Sequence, residues 1–215
     1  MVKTKSGNGK SSRQSSAPCD TDPCTWLFLN PAGASTTGTT FGVLRKTYGG
    51  RTNSALEFGY RKAHPTCKTS PRDLQAWNPS AEKVEVILPQ EADDALSDAP
   101  TLLFQMDRFA AKNEKSLLVY LTLPLSDVQR VHVGWERARS FASRIANERQ
   151  LATVLTLHAP SAINRPLPLH AHCLIVPRRI SNSGVRFGLY DDELIRDSGQ
   201  NVLEQLWKQN LIMGG

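Results

Sequence analysis

Two apolar, β-rich runs joined by a proline-rich connection constrain this chain more than anything else in it. They are "ATVLTLHAP" at 152–160 and "HAHCLIVPRRI" at 170–180. The connection is too short for a helical crossover, so the two runs must pair antiparallel. A third run, "SLLVYLTLP" at 116–124, has the same character and is closed by Pro124. Between it and the pair, Val131, Trp135, Ala138, Ala142 and Ile145 recur at steps of four and three. That spacing predicts a helix with one buried stripe, running to Arg149. Ser126 and Gln129 have the spacing of a capping box at its start.

The remaining elements are weaker. Residues 25–29 predict a short strand stopped by Pro31, and the Gly/Thr-rich 32–53 a long loop. "SALEFGYRKA" predicts a short helix with Ser54 as cap and Glu57 in the capping-box position. "VEVILP" predicts a strand and "LLFQMDRFAAKNEK" a helix. "SNSG" predicts a turn into "VRFGLY", and 192–212 a helix broken near Gly199. The fold class expected is α+β: an antiparallel sheet with helices packed on one face.

Length and composition fit one domain over 25–215, preceded by an arm over 1–24. The arm carries Lys3, Lys5, Lys10 and Arg13 and, over its first 18 residues, no acid; its Ser/Gly-rich composition predicts disorder. No apolar run reaches the roughly 20 residues of a spanning helix. The basic start is followed by no apolar core, so no secretory signal is expected. Cys19, Cys24, Cys67 and Cys173 form no CxxC pair and read as free thiols of a reducing, cytoplasmic compartment. A net charge of +6 favours anionic partners, nucleic acid first.

Three of the five histidines fall within 158–172. Side chains alternate along a strand, so His170 and His172 share a face with Leu174 and Val176, while His158 shares one with Thr156 and Val154. If the hairpin sets His158 opposite the "HAH" element, three imidazoles converge. Three neutral imidazoles with an open position suit a divalent metal.

The stretch "FASRIANERQLATVLTLHAP…LPLHAHCLIVPRRI…VRFG" resembles the relaxase core of the MobA/MobL family of plasmid mobilisation proteins. That family has a helix ending in "ER", a strand ending in His, a Pro-containing loop, a P-H-A-H element, an apolar strand and an Arg. Here these correspond to His158, to Leu169–His172 with Pro168 one step early, and to Arg178 or Arg179. The resemblance spans about 25–210 and is fullest over 116–190. It implies a histidine–hydrophobe–histidine endonuclease that nicks single-stranded DNA at an origin of transfer, alongside accessory relaxosome proteins and with no membrane partner. It implies His158, His170 and His172 as ligands of a divalent metal, magnesium or manganese first and zinc as the alternative. It implies a tyrosine nucleophile on the helix after the first strand. "SALEFGYRK" offers Tyr60, with Tyr48 in reserve, and Arg61, Lys62, Arg178 and Arg179 as phosphate contacts.

One departure bears on activity. The family carries an acidic residue in the strand before "ALP"; here Leu118 and Tyr120 occupy that strand, leaving Asp107 or Glu114 to substitute if the fold brings either close. Three other readings stay open. One is a catalytically degenerate DNA-binding homologue. Another is a histidine-triad-like nucleotide hydrolase, whose third histidine would sit at Leu174. The last is a zinc hydrolase using water.

Overall fold

The computed structural model describes residues 23–29, 35–66, 73–163, 167–185 and 188–213. Six strands form one antiparallel sheet among them: β1 (Phe28–Leu29), β2 (Thr40–Leu44), β5 (Lys83–Ile87), β6 (Leu118–Pro124), β7 (Leu151–His158) and β8 (His170–Arg179). The spatial order is β1-β2-β6-β8-β7-β5. β3 (Thr47–Tyr48) and β4 (Arg51–Thr52) make a separate ribbon, turned by Gly49 and Gly50 at positive φ. The expected hairpin forms with His158 directly opposite His170 and Thr156 opposite His172. β6 lies on the other side of β8, with Thr122 opposite His172.

Helices cover both faces of this sheet, not one as the sequence suggested. α3 (Val131–Arg149) and α4 (Ser198–Met213) pack on Val119, Leu121, Leu123, Cys173 and Ile175 through Trp135, Phe141 and Trp207. α1 (Ala55–Ala63) and α2 (Ala99–Phe109) pack on Leu118, Tyr120, Val154 and Leu174 through Phe58, Leu102, Leu103 and Met106. The cause is legible in retrospect. β6 and β8 are near-continuous apolar runs rather than alternating ones, the pattern of strands buried on both sides. Each large side chain removed from water contributes about 1.5–3 kcal/mol, so a two-sided core roughly doubles what this sheet buries.

Other boundaries differ for local reasons. α3 begins at Val131, after Arg130 with no side-chain cap, so the start and capping box expected of Ser126 and Gln129 do not form. β2 lies inside the segment read as loop, where Phe41, Val43 and Leu44 are buried despite their Gly/Thr-rich surroundings. α4 starts at Ser198, so Gly199 falls in its first turn and only the stretch before Ser198 is non-helical. Tyr190 belongs to no named strand and forms an isolated bridge to Arg178, and residues 186–187 of "VRFGLY" lie outside the described residues. The arm expected over 1–24 lies outside them through residue 22; Pro23 and Cys24 belong to a 3-10 turn ending at Trp26. Cys24 and Cys173 are free thiols; Cys19 and Cys67 lie outside the described residues.

α1 matters most for the site. Ser54 caps it by accepting from the Glu57 backbone N–H at 3.1 Å, as its sequence predicts. Glu57 does not complete the box; its carboxylate pairs with Arg51 and Arg61. Asp107 on α2 takes the other end-groups instead, accepting from Ser54 Oγ at 2.6 Å and from the backbone N–H of Ala55 and Leu56 at 2.7 and 3.0 Å. A carboxylate here satisfies orphan donors and meets the positive end of the helix dipole. It locks α1 to α2 and fixes where residues 61 and 62 point.

Candidate metal centre

His158, His170 and His172 converge at the end of β7 and β8, on the face that carries α1. One nitrogen from each ring lies within 4.8 Å of the others. The other nitrogen of each ring is anchored. His158 Nε2 is 2.7 Å from the Lys62 carbonyl oxygen, and His170 Nδ1 is 2.8 Å from that of Pro168. His172 Nδ1 is 2.8 Å from the Tyr120 hydroxyl. Such back-side contacts fix ring orientation in metal sites. His172 Nε2 and His158 Nδ1 stand 3.2 Å apart. Two nitrogens bound to one tetrahedral ion at ordinary lengths stand about 3.3 Å apart, so the pair has the right spacing.

The protonation states also suit a cation. Burial pushes the His158 imidazole down, against its bond to the Lys62 carbonyl and with help from nearby His170 and Lys62, to about 4. Burial pushes His172 well below its ordinary value, with Lys62, His158 and His170 adding to the effect. Both rings are therefore neutral near pH 7, the form in which imidazole is a ligand. The three histidines fit a divalent metal.

A cavity of about 570 Å³ opens over the cluster, with Arg61, Lys62, Cys24, Thr40, Tyr120 and Thr122 among its walls. Lys62 Nζ lies 3.3 Å from Cys24 Sγ and 4.8 Å above the Tyr120 ring. Arg61 lies over Trp26 at 4.7 Å. The cavity therefore combines neutral nitrogen ligands with fixed positive charge, and no carboxylate is among its described wall residues. That combination favours a phosphate-bearing guest.

The same fold is already known. A solved structure described as "Molecular Basis of Vancomycin Resistance Transfer in Staphylococcus aureus" matches over 82% of this chain and 93% of its own, with a TM-score of 0.59 and 19% identity. No protein-family model and no curated protein matches the sequence. The likeness supports the expected α+β fold and does not reach the MobA/MobL family.

The other expected site residues divide sharply. Arg61 and Lys62 join the three histidines. Tyr60 is not among the cavity walls. Its ring is buried, stacked on His64 at 3.8 Å and edge-on to Trp77 at 5.5 Å. One residue is about 100° on a helix, so the face that presents Arg61 and Lys62 turns Tyr60 toward Trp77. Tyr48 stands on the separate ribbon, edge-on to Phe28 at 5.8 Å. Arg178 and Arg179 sit at the far end of β8, roughly 26 Å along the strand from His170. Arg178 is buried and pairs with Glu114 at 2.7 Å, so it is no open phosphate contact; Arg179 is exposed. Neither substitute carboxylate reaches the cluster: Asp107 caps α1 and Glu114 holds Arg178. Leu174, where a histidine triad needs its third histidine, is buried in the core.

Sequence reasoning missed Tyr120 and Thr122 as site residues. A signal was present: two polar side chains two apart on one face of an otherwise apolar strand, the face that meets His172.

Proposed function

We propose that this is a relaxase-like protein of DNA transfer, whose histidine cavity binds a divalent metal and the phosphate backbone of single-stranded DNA. The observation that carries the reading is the histidine cluster itself: three rings, each anchored from behind, each presenting a nitrogen to one point. The resemblance implies magnesium or manganese first, and the all-imidazole donor set also admits zinc. When bound, the metal supplies Lewis-acid polarisation of a phosphate oxygen. Lys62 and Arg61 hold the neighbouring anionic oxygens, and the neutral rings keep the cavity free of competing negative charge. The fold supports this reading, since the solved structure that shares it concerns resistance transfer.

For strand nicking, Tyr60 remains the nucleophile the resemblance implies, and it must leave the His64 and Trp77 stack to reach the cavity. That placement favours a second reading, a homologue that binds metal and DNA without nicking. One set of measurements separates the possibilities. Thermal unfolding is followed with and without manganese, for wild type and His170→Ala/His172→Ala. At 100 times the dissociation constant, binding stabilises by about 2.7 kcal/mol, a rise of about 5–10 °C for a chain this size. The rise is expected in wild type and absent in the variant; no rise in wild type refutes the metal reading. Pooled single-stranded oligonucleotides with manganese then report the chemistry: a covalent adduct lost in Tyr60→Phe supports nicking, and binding without an adduct supports the second reading.

A further inference from the structure

We propose that Tyr120, backed by Thr122, is a positioning residue that sets the tautomer of His172 and thereby gates metal entry into the histidine cluster. Its metal-binding arm rests on the function proposed above; its tautomer arm rests on the hydrogen bonds of the chain itself.

The directions of these bonds follow from one fixed point. The Lys62 carbonyl can only accept, so His158 Nε2 carries its ring's hydrogen across the 2.7 Å contact. A neutral imidazole has one N–H, so His158 Nδ1 is an acceptor. His172 Nε2, 3.2 Å away, donates to it. His172 Nδ1 is then bare and accepts from the Tyr120 hydroxyl at 2.8 Å. Tyr120 Oη accepts in turn from Thr122 Oγ1 at 2.7 Å. The hydrogens run one way, from Thr122 to the Lys62 carbonyl.

A cation in the cluster needs the lone pair that His172 Nε2 is using for its hydrogen. That ring must carry its hydrogen on Nδ1 instead. Tyr120 then changes from donor to acceptor toward His172 and turns its own hydrogen to Thr122 Oγ1. The ring gives its Nε2 proton to solvent and takes one from solvent at Nδ1, so its charge does not change and Tyr120 stays a neutral phenol. A carboxylate in this place could only accept, and would hold the Nδ1–H form whether or not metal is bound. A phenol both donates and accepts, so it supports both tautomers. The Tyr120 ring is held for this: it is buried, edge-on to Phe58 at 5.7 Å and stacked on His172 at 5.5 Å.

The test uses the full chain with 15N-labelled histidine. Long-range proton–nitrogen spectra read the His172 tautomer, with and without zinc, in wild type, Tyr120→Phe and Thr122→Val. Metal-free wild type should show the hydrogen on Nε2, and the zinc-loaded protein should show it on Nδ1. Tyr120→Phe keeps the ring packing and should bind zinc about 10–100-fold more weakly. Thr122→Val should shift affinity the same way by less. A metal-free wild type with its His172 hydrogen on Nδ1 overturns the proposal whatever zinc does. Equal zinc affinity in wild type and Tyr120→Phe overturns it while leaving the metal site standing. A wild type that takes up neither zinc nor manganese overturns the metal reading, and the gate falls with it.

Discussion

Mild acid is expected to weaken this protein through its histidines before its carboxylates. Folded His158 is held at about 4, and burial is the main cause. In the unfolded chain the same ring titrates near 6.5. Between those values the unfolded chain binds a proton that the folded one refuses. The contribution is therefore fully present above about pH 6.5 and is lost as pH falls toward 4. For His158 by itself, going from about pH 7 to about pH 4.5 removes about 2 kcal/mol, at a slope approaching 1.4 kcal/mol per pH unit. His172 is depressed for the same reason and adds a loss of the same sign. The Glu204 carboxylate stays out of the window. Burial pushes Glu204 up, but bonds from Ser35, Gln200 and Thr36 outweigh it and hold it at about 2. A chain of this length loses about 2–4 °C of Tm per kcal/mol, so His158 accounts for a fall of about 5 °C. The assay is thermal unfolding by circular dichroism across that pH range, for wild type and His158→Asn. The variant starts lower, having lost its bond to Lys62, and should then fall less steeply by the margin worked above. Parallel curves would refute the argument, because they would show that the buried ring does not refuse its proton.

Two further outcomes test the scaffold under the site. Asp107→Ala removes three hydrogen bonds from the start of α1 and should cost about 1–3 kcal/mol in urea unfolding. The same change should weaken manganese binding, because α1 carries the Lys62 carbonyl. Glu114→Ala removes the carboxylate paired with the buried Arg178 charge and should cost about 3–5 kcal/mol. Manganese binding should stay as in wild type, because that pair sits at the far end of β8.

The strand ladder and the histidine cluster could be read from the sequence because both rest on local period. Alternation put His170 and His172 on one face, and the short connection required the antiparallel pairing in which the structure sets His158 opposite His170. What stayed hidden depends on contacts between distant segments. Asp107 and α1 meet across more than 50 positions, and no local pattern announces a cap supplied by another helix. Tyr60 stands on the expected helix but outside the cavity walls, because the turn of α1 presents its neighbours Arg61 and Lys62 there, and a residue type in a motif does not reveal that rotation. The helices on both faces were foreshadowed by apolar runs in β6 and β8, but two-sided burial and a one-sided sheet differ only in a few polar positions.

The histidines hang on two adjacent strands of one ladder, with His158 and His170 as direct cross-strand partners. Their spacing is therefore set by backbone pairing, not by the segment that joins them. An inserted peptide tag or recognition loop between 160 and 168 should leave the ligand cluster in place. The joining segment is thus a replaceable part, much as a tool head is changed on a fixed shank, and the histidine cluster stays with the ladder.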